Sequence, residues 1–265
     1  MVAILEAWSL TRRFGELVAV DAFTVAVQAG EVFGLVGPNG AGKTTVIKML
    51  VTLLEPSSGT AQVAGYDIVG QAAQVRRVIG YVPQALSADA TLTGYENLLI
   101  FAKLYDIPRA ERDQRIRSAL DFMGLRESAH KLVRTYSGGM IRRLEIAQSM
   151  LHRPPVLFLD EPTVGLDPVA RQSVWARIGE MRRDYGTTIL LTTHYMEEAD
   201  SLCSRVAIMH LGRIVALGAP AELKAGVGEG ATLDDVFVHH TGGEVEAGGG
   251  YREAERARRT SRRLG

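Results

Sequence analysis

An α/β fold, with a mostly parallel sheet covered by helices, is predicted from three observations. Short apolar stretches alternate with helical ones toward both ends of the chain, the pattern of strands that pair in parallel through crossover helices. Between about Thr93 and Met150 the β signals fade and apolar residues recur at helical spacing, which reads as a helical insertion. The 265-residue chain is 46% hydrophobic and 23% charged. It is long enough to bury a core of its own, and its composition excludes a disordered or fibrous protein.

Val2 to Leu5 and Leu17 to Val27 are rich in β-branched and apolar residues, so they read as strands around a turn near Gly15. Glu31 to Val36 is another apolar strand, and it runs into Gly37-Pro38-Asn39-Gly40-Ala41-Gly42. Val46, Ile47, Leu50 and Leu53 predict a helix behind that loop. Glu55-Pro56-Ser57-Ser58-Gly59 is a turn, with strands at Thr60 to Ala64 and Val78 to Val82 beyond it. In the insertion, helical spacing links Leu98, Phe101 and Leu104, then Ile116, Leu120 and Met123. Alternation resumes with strand Val156 to Leu159, helix Val169 to Arg183, strand Thr187 to Thr192 and a short helix from Tyr195. Strands Val206 to Met209 and Ile214 to Leu217 complete the series. Beyond Thr241 the composition shifts. Glycine pairs and triplets precede an Arg-rich end, and residues 242–265 hold six Arg and four Glu without apolar periodicity. The tail 241–265 therefore reads as disordered.

The exclusions are plain. Thirty basic and 30 acidic side chains cancel, so nothing points to a nucleic-acid partner drawn by overall charge. Cys203 is the single cysteine and lies in an apolar stretch, which argues for a small buried thiol and against a disulfide framework or thiolate metal cluster. No apolar run approaches the roughly 18 residues of a membrane span, and Met1 to Leu10 lacks the layout of a signal peptide. By itself the chain reads as soluble and cytosolic.

Gly37-Pro38-Asn39-Gly40-Ala41-Gly42-Lys43-Thr44 fits the pattern G-x-x-x-x-G-K-[ST]. Its glycines let the backbone close into a nest of N–H groups around an anion, and the following helix adds positive potential at its N-terminus. Lys43 supplies a point charge for β- and γ-phosphates, and the Thr44 hydroxyl is a Mg²⁺ ligand. The loop predicts a bound nucleoside triphosphate. Downstream, the apolar strand Val156 to Leu159 ends in Asp160 and Glu161. The C-terminal end of a buried parallel strand opens at the ligand crevice. That places Asp160 to hold Mg²⁺ through water and Glu161 to orient or deprotonate the attacking water. His194 and Gln84 each follow another predicted strand and should reach the same edge. His194 is then a γ-phosphate hydrogen-bond partner, and the Gln84 amide a Mg²⁺ ligand that senses the water.

Tyr136-Ser137-Gly138-Gly139-Met140 opens a helix carrying Arg142, Arg143 and Leu144. With the loop 37–44, Gln84, Asp160-Glu161, Gly165-Leu166-Asp167-Pro168 and His194 in that order, the chain resembles ATP-binding-cassette (ABC) ATPases over about residues 2–240. Leu92-Thr93-Gly94-Tyr95-Glu96-Asn97-Leu98 and Leu233-Asp234-Asp235-Val236-Phe237 bring it nearest the daunorubicin-resistance type of exporter subunit. The resemblance implies a P-loop NTPase cassette over 1–240, with a small antiparallel β subdomain at its N-terminus and a helical subdomain over about 86–150.

It also implies a head-to-tail dimer of two copies that sandwiches two ATP molecules. Ser137, Gly138 and Gly139 of one copy would contact the γ-phosphate held by Lys43 of the other. Phe14 would stack on adenine, Thr45 would meet the α-phosphate, and Asp167 would communicate across the dimer. Where the family usually has Leu and Gln around Ser-Gly-Gly, this chain has Tyr136 and Met140, and Phe14 replaces the more frequent Tyr. The implied function is ATP hydrolysis with Mg²⁺, powering export of a small molecule, such as a drug, through a separately encoded permease. The permease would dock near Gln84 to Leu104, at the cytoplasmic face of the membrane. An importer subunit and a soluble non-transport ABC ATPase are the alternatives.

Overall fold

The computed structural model describes residues 2–242, so the expected disorder of the tail lies, from residue 243 on, outside the described residues. Strands β1 (Ala3–Phe14) and β2 (Leu17–Gln28) form an antiparallel hairpin that turns at Gly15, where φ is +58°. Strand β1 is longer than the four residues expected. Its outer half is rich in polar residues, and the pairing register shifts between Ala7 and Leu10, where Ser9 adopts φ +50°. Such a bulge hides the strand from a period-2 reading.

Strand β3 (Val32–Val36) leads through the glycine-rich loop to α1 (Lys43–Leu50), as expected. Next come β4 (Ser58–Val63), β5 (Tyr66–Asp67), α2 (Ala72–Val78) and β6 (Ile79–Val82). Helix α2 has no counterpart in the sequence pattern because Val75 is its one buried residue, and one position carries no period. Helices α3 (Gly94–Leu104), α4 (Arg109–Phe122) and α5 (Gly138–Met150) form the helical insertion. The start of α3 is set by a capping box: the Glu96 N–H donates to Thr93 Oγ1 at 3.2 Å, and the Thr93 N–H donates to the Glu96 carboxylate at 2.8 Å.

The chain then runs through β7 (Val156–Asp160), α6 (Pro168–Tyr185), β8 (Thr188–Thr193), α7 (Met196–Leu202), β9 (Arg205–His210) and β10 (Arg213–Gly218). It closes with α8 (Pro220–Val227) and α9 (Leu233–Thr241).

Two sheets result. A four-stranded antiparallel sheet has the order β2-β1-β4-β5, and a six-stranded sheet has the order β10-β9-β3-β8-β7-β6. In the larger sheet only β10 runs antiparallel to its neighbour. Its central strands β3, β7 and β8 are buried along their whole length, as parallel strands covered on both faces must be. Alternate residues of β7 serve two cores. Val156 and Phe158 pack toward the small sheet and α1 with Phe23, Ile47 and Leu190. Leu157 and Leu159 pack toward the helical layer with Leu98, Leu144 and Ile178. Among the described residues no helix is long and apolar enough to cross a membrane. Cys203 is a buried free thiol, as expected, and burial pushes its pKa up.

At the base of the helical layer, His152 stacks on Tyr105 with ring centroids 3.7 Å apart. Its Nε2 lies 3.0 Å from the Ile79 carbonyl oxygen, so Nε2 carries the proton. Burial pulls this imidazole down to about 4. The unfolded chain takes up that proton near pH 6.5 and the folded chain only near 4. The stability contribution is therefore complete above about pH 6.5 and is lost as pH falls toward 4. The urea midpoint is expected to drop over that window, and His152→Phe should flatten the drop relative to the wild type.

Candidate active site

The strand order places chemistry that is distant along the chain at one edge. Strands β3, β8, β7 and β6 are consecutive neighbours, and their parallel register aligns their C-terminal ends: Val36 pairs with Thr193, Asp160 with Thr192, and Val82 with Leu159. The glycine-rich loop, His194, Glu161 and Gln84 follow within two residues of those ends, and Asp160 is itself the last residue of β7. This is the crevice in which open α/β sheets bind ligands.

The loop has the backbone its glycines allow. Gly42 precedes α1 at φ +101°, and a Cβ there would stand 2.5 Å from the Ala19 carbonyl oxygen. At Gly37, φ is +154° and a Cβ would stand 2.2 Å from the Met209 carbonyl oxygen. Strands β2 and β9 thus close the back of the loop, while Asn39 and Gly40 at its front are exposed. Lys43 is 4% exposed. Its Nζ donates to the Gly37 and Pro38 carbonyl oxygens at 2.7 and 3.0 Å and lies 3.5 Å from Glu161 Oε1. Burial lowers the Lys43 pKa, against the opposing pull of Glu161 and Asp160.

Asp160 is 1% exposed and accepts hydrogen bonds on one oxygen from Thr44 at 3.1 Å and Thr192 at 2.6 Å. Glu161 is 6% exposed and adopts φ +47°, a conformation that costs a side-chain-bearing residue about 1–3 kcal/mol. The bend is held by its own N–H, which donates to Thr192 Oγ1 at 2.9 Å and to the Thr192 carbonyl at 3.2 Å. The bend turns its carboxylate toward His194 Nδ1 at 3.2 Å, Gln84 Nε2 at 3.4 Å and Lys43. Lys43, Thr44, Gln84, Asp160, Glu161 and His194 therefore converge. Thr192, which orients both acids, is absent from the sequence reading. Its signal there is slight, because it is one of three threonines in the six-residue strand β8.

The donor set fits Mg²⁺. One carboxylate, one hydroxyl and the Gln84 amide oxygen leave room for phosphate oxygens and water, the mixed coordination this ion prefers. Two buried carboxylates face a single ammonium, and that excess negative charge suits a cation. Asp160 is also felt by Tyr81, whose phenol is pushed up to about 12 by burial first and that charge second.

Of the other expected site residues, Thr45 adjoins the loop, while Phe14, Ser137, Gly138 and Asp167 are exposed and Gly139 is buried. Ser137 caps α5 by accepting from the Met140 N–H at 3.3 Å, and Ser137 and Gly138 are exposed. Asp167 is likewise exposed and caps α6 through the Ala170 N–H at 2.9 Å. These two caps adjoin, since a Cβ on Gly139 would stand 2.7 Å from the Ala170 Cβ. Among the described residues, no hydrogen bond joins Ser137, Gly138, Gly139 or Asp167 to the loop 37–44. Phe14 is exposed at the hairpin turn under the Arg12 guanidinium, 4.7 Å from the ring centroid. Thr45 is half-buried in the first turn of α1.

Comparison with known proteins agrees with this architecture. The ABC transporter family matches residues 20–164. The daunorubicin/doxorubicin resistance ATP-binding protein DrrA of Streptomyces peucetius is 45% identical over 224 residues, covering 84% of this chain and 68% of that protein. Nod factor export ATP-binding protein I of Ralstonia nicotianae is 44% identical over 220 residues, covering 83% and 68%. A solved ATP-binding subunit of an ABC transporter superimposes with a TM-score of 0.80 at 31% identity, covering 90% of this chain and 99% of that one. The chain therefore belongs to the ABC transporter family as an ATP-binding subunit, and the reaction it catalyses is the hydrolysis of ATP.

Proposed function

We propose that two copies of this chain, docked on a separate membrane permease at the cytoplasmic face, hydrolyse ATP to drive export of a small, drug-like molecule. The observation that carries the direction of transport is the 45% identity to a subunit named for daunorubicin and doxorubicin resistance. The 44% identity to a subunit named for Nod factor export supports it. In this reading residues 1–240 act as one ATPase domain. Each triphosphate lies between the loop 37–44 of one copy and Ser137, Gly138 and Gly139 of the other. Support for that pairing comes from the exposed caps of α5 and α6, which hold their polar groups on the surface away from the chain's own loop.

The roles are those the family resemblance implies, and the convergence of Lys43, Thr44, Gln84, Asp160, Glu161 and His194 supports the catalytic ones. Lys43 and the loop amides take the β- and γ-phosphates, and Thr45 takes the α-phosphate. Phe14 stacks on the adenine, while Asp167 meets the partner. Glu161 accepts the proton of the attacking water as that water displaces the leaving diphosphate in line. His194 donates to the γ-phosphate and to Glu161 in turn, and the partner's helix N-terminus stabilises the developing charge. Thr44, Gln84 and Asp160 would hold Mg²⁺, which neutralises phosphate charge. Leu86, Ile100 and Leu104 are exposed apolar residues around the segment Gln84 to Leu104, and they support the permease contact there.

The test is co-expression with a candidate membrane permease, followed by ATP-driven transport in inside-out vesicles. Accumulation of an amphiphilic drug inside the vesicles, with matching stimulation of ATPase activity, is the expected result. A requirement for an external binding protein, with flux in the opposite sense, would establish an importer instead.

A further inference from the structure

Helix α5 carries a buried charged pair that the roles above do not use. Arg142 and Glu145 are each 2% exposed and lie 3.1 Å apart, an ion pair without hydrogen-bond geometry. Both spend their hydrogen-bonding capacity on one neighbouring segment. The Arg142 guanidinium donates to the Pro83 and Gln84 carbonyl oxygens, each at 2.7 Å. Glu145 Oε1 accepts from the Ser87 N–H, from the Ser87 hydroxyl at 3.2 Å and from the Ala88 N–H at 3.3 Å. The residues of 83–88 lie mostly at the surface and fall outside the named helices and strands. A rigid helix therefore grips a loop with no secondary structure of its own.

We propose that Arg142 and Glu145 are positioning residues that set the place of Gln84 at the active site and move it in step with α5. The Gln84–Glu161 hydrogen bond is 3.4 Å long, near the limit of such a bond, so a shift of a few tenths of an ångström makes or breaks it. The tip of the same helix is Ser137, about 7.5 Å along the axis from Arg142 at helical rise. A triphosphate that engages the tip of α5 in the dimer displaces Arg142 as well, and with it the backbone of Gln84. The inference rests on the proposed role of Gln84 and on the two-chain site.

Arg142→Met, Arg142→Lys and Glu145→Gln, each alone and combined with Gln84→Ala, test it in the full chain with its permease. The readouts are kcat, the Mg²⁺ concentration for half-maximal activity, affinity for a fluorescent ATP analogue, and melting temperature. Arg142→Met is expected to lower kcat at least about tenfold and raise the Mg²⁺ requirement, with analogue affinity unchanged within about twofold. Arg142→Lys, which keeps the charge and one donor direction, should recover part of the loss. In the Gln84→Ala background the effect of Arg142→Met should largely vanish, because both changes remove one interaction.

If the two losses multiply, or if analogue affinity and melting temperature fall in parallel with kcat, Arg142 is a packing residue and the inference fails. If Gln84→Ala alone leaves kcat untouched, the proposed role of Gln84 fails first, and the inference with it. Should Arg142→Met not fold, Glu145→Gln in the same two backgrounds decides by the same criterion.

Discussion

Glu161→Gln is expected to lower ATP turnover at least about a hundredfold, the scale of losing a positioned general base, while ATP still binds. The change keeps the shape of the side chain and two of its hydrogen-bonding atoms, so contacts with His194 and Gln84 survive in some orientation. What it removes is the ability to take a proton from water. The backbone at 161 is already bent to φ +47° and is held there by its own N–H, which donates to the Thr192 hydroxyl and carbonyl oxygens, contacts that the substitution leaves in place. Phosphate release measures turnover, and a fluorescent ATP analogue measures binding. Turnover close to wild type would remove Glu161 from the role of base.

Ser137→Arg should abolish hydrolysis with nucleotide binding to the single chain intact. Ser137 is exposed at the start of α5 and bonds to nothing in its own phosphate loop, so a bulky cation there obstructs only what a second copy brings. Loss of the cap to the Met140 N–H costs about 1 kcal/mol, a modest fall in melting temperature that is separable from loss of activity. Mixing supplies the sharper measurement. A Ser137→Arg chain and a Lys43→Ala chain are each expected to be inactive alone. Paired, they rebuild one complete site from an intact Lys43 and the partner's intact Ser137. If the mixture stays inactive while both chains fold and pair, the two-chain site is wrong. Normal hydrolysis by Ser137→Arg alone would have the same consequence.

The local chemistry was legible residue by residue. The run from Gly37 to Thr44 needs glycines where the backbone is crowded from behind, and the structure shows carbonyl oxygens 2.2 and 2.5 Å from where two of their Cβ atoms would stand. Asp160 and Glu161 were visible because acids ending an apolar strand have no place in a core. Less was visible where one position carried the signal. Helix α2 buries only Val75, and β1 changes register at Ser9. Helix α9 is announced by Thr232 and Asp235 as a capping pair with Leu233, Val236 and Phe237 buried behind it, yet in the sequence its motif speaks only as a family resemblance.

What the sequence determined by itself was the set of parts: a phosphate-binding loop, a pair of acids, a glutamine and a histidine each placed after a strand, and two motifs that open helices. Each depends on neighbours within a few residues, where backbone freedom and side-chain chemistry act directly. Only the tertiary structure decided how those parts meet. Strand β8, later in the chain than β7, inserts between β3 and β7, which puts Thr192 beneath both acids and His194 beside Glu161. The grip of Arg142 and Glu145 on the loop at 83–88 is equally nonlocal, joining side chains to backbone more than fifty residues away. Strand order and helix docking are chosen by burial of whole apolar faces, a property of the assembled chain that no short stretch of residues contains.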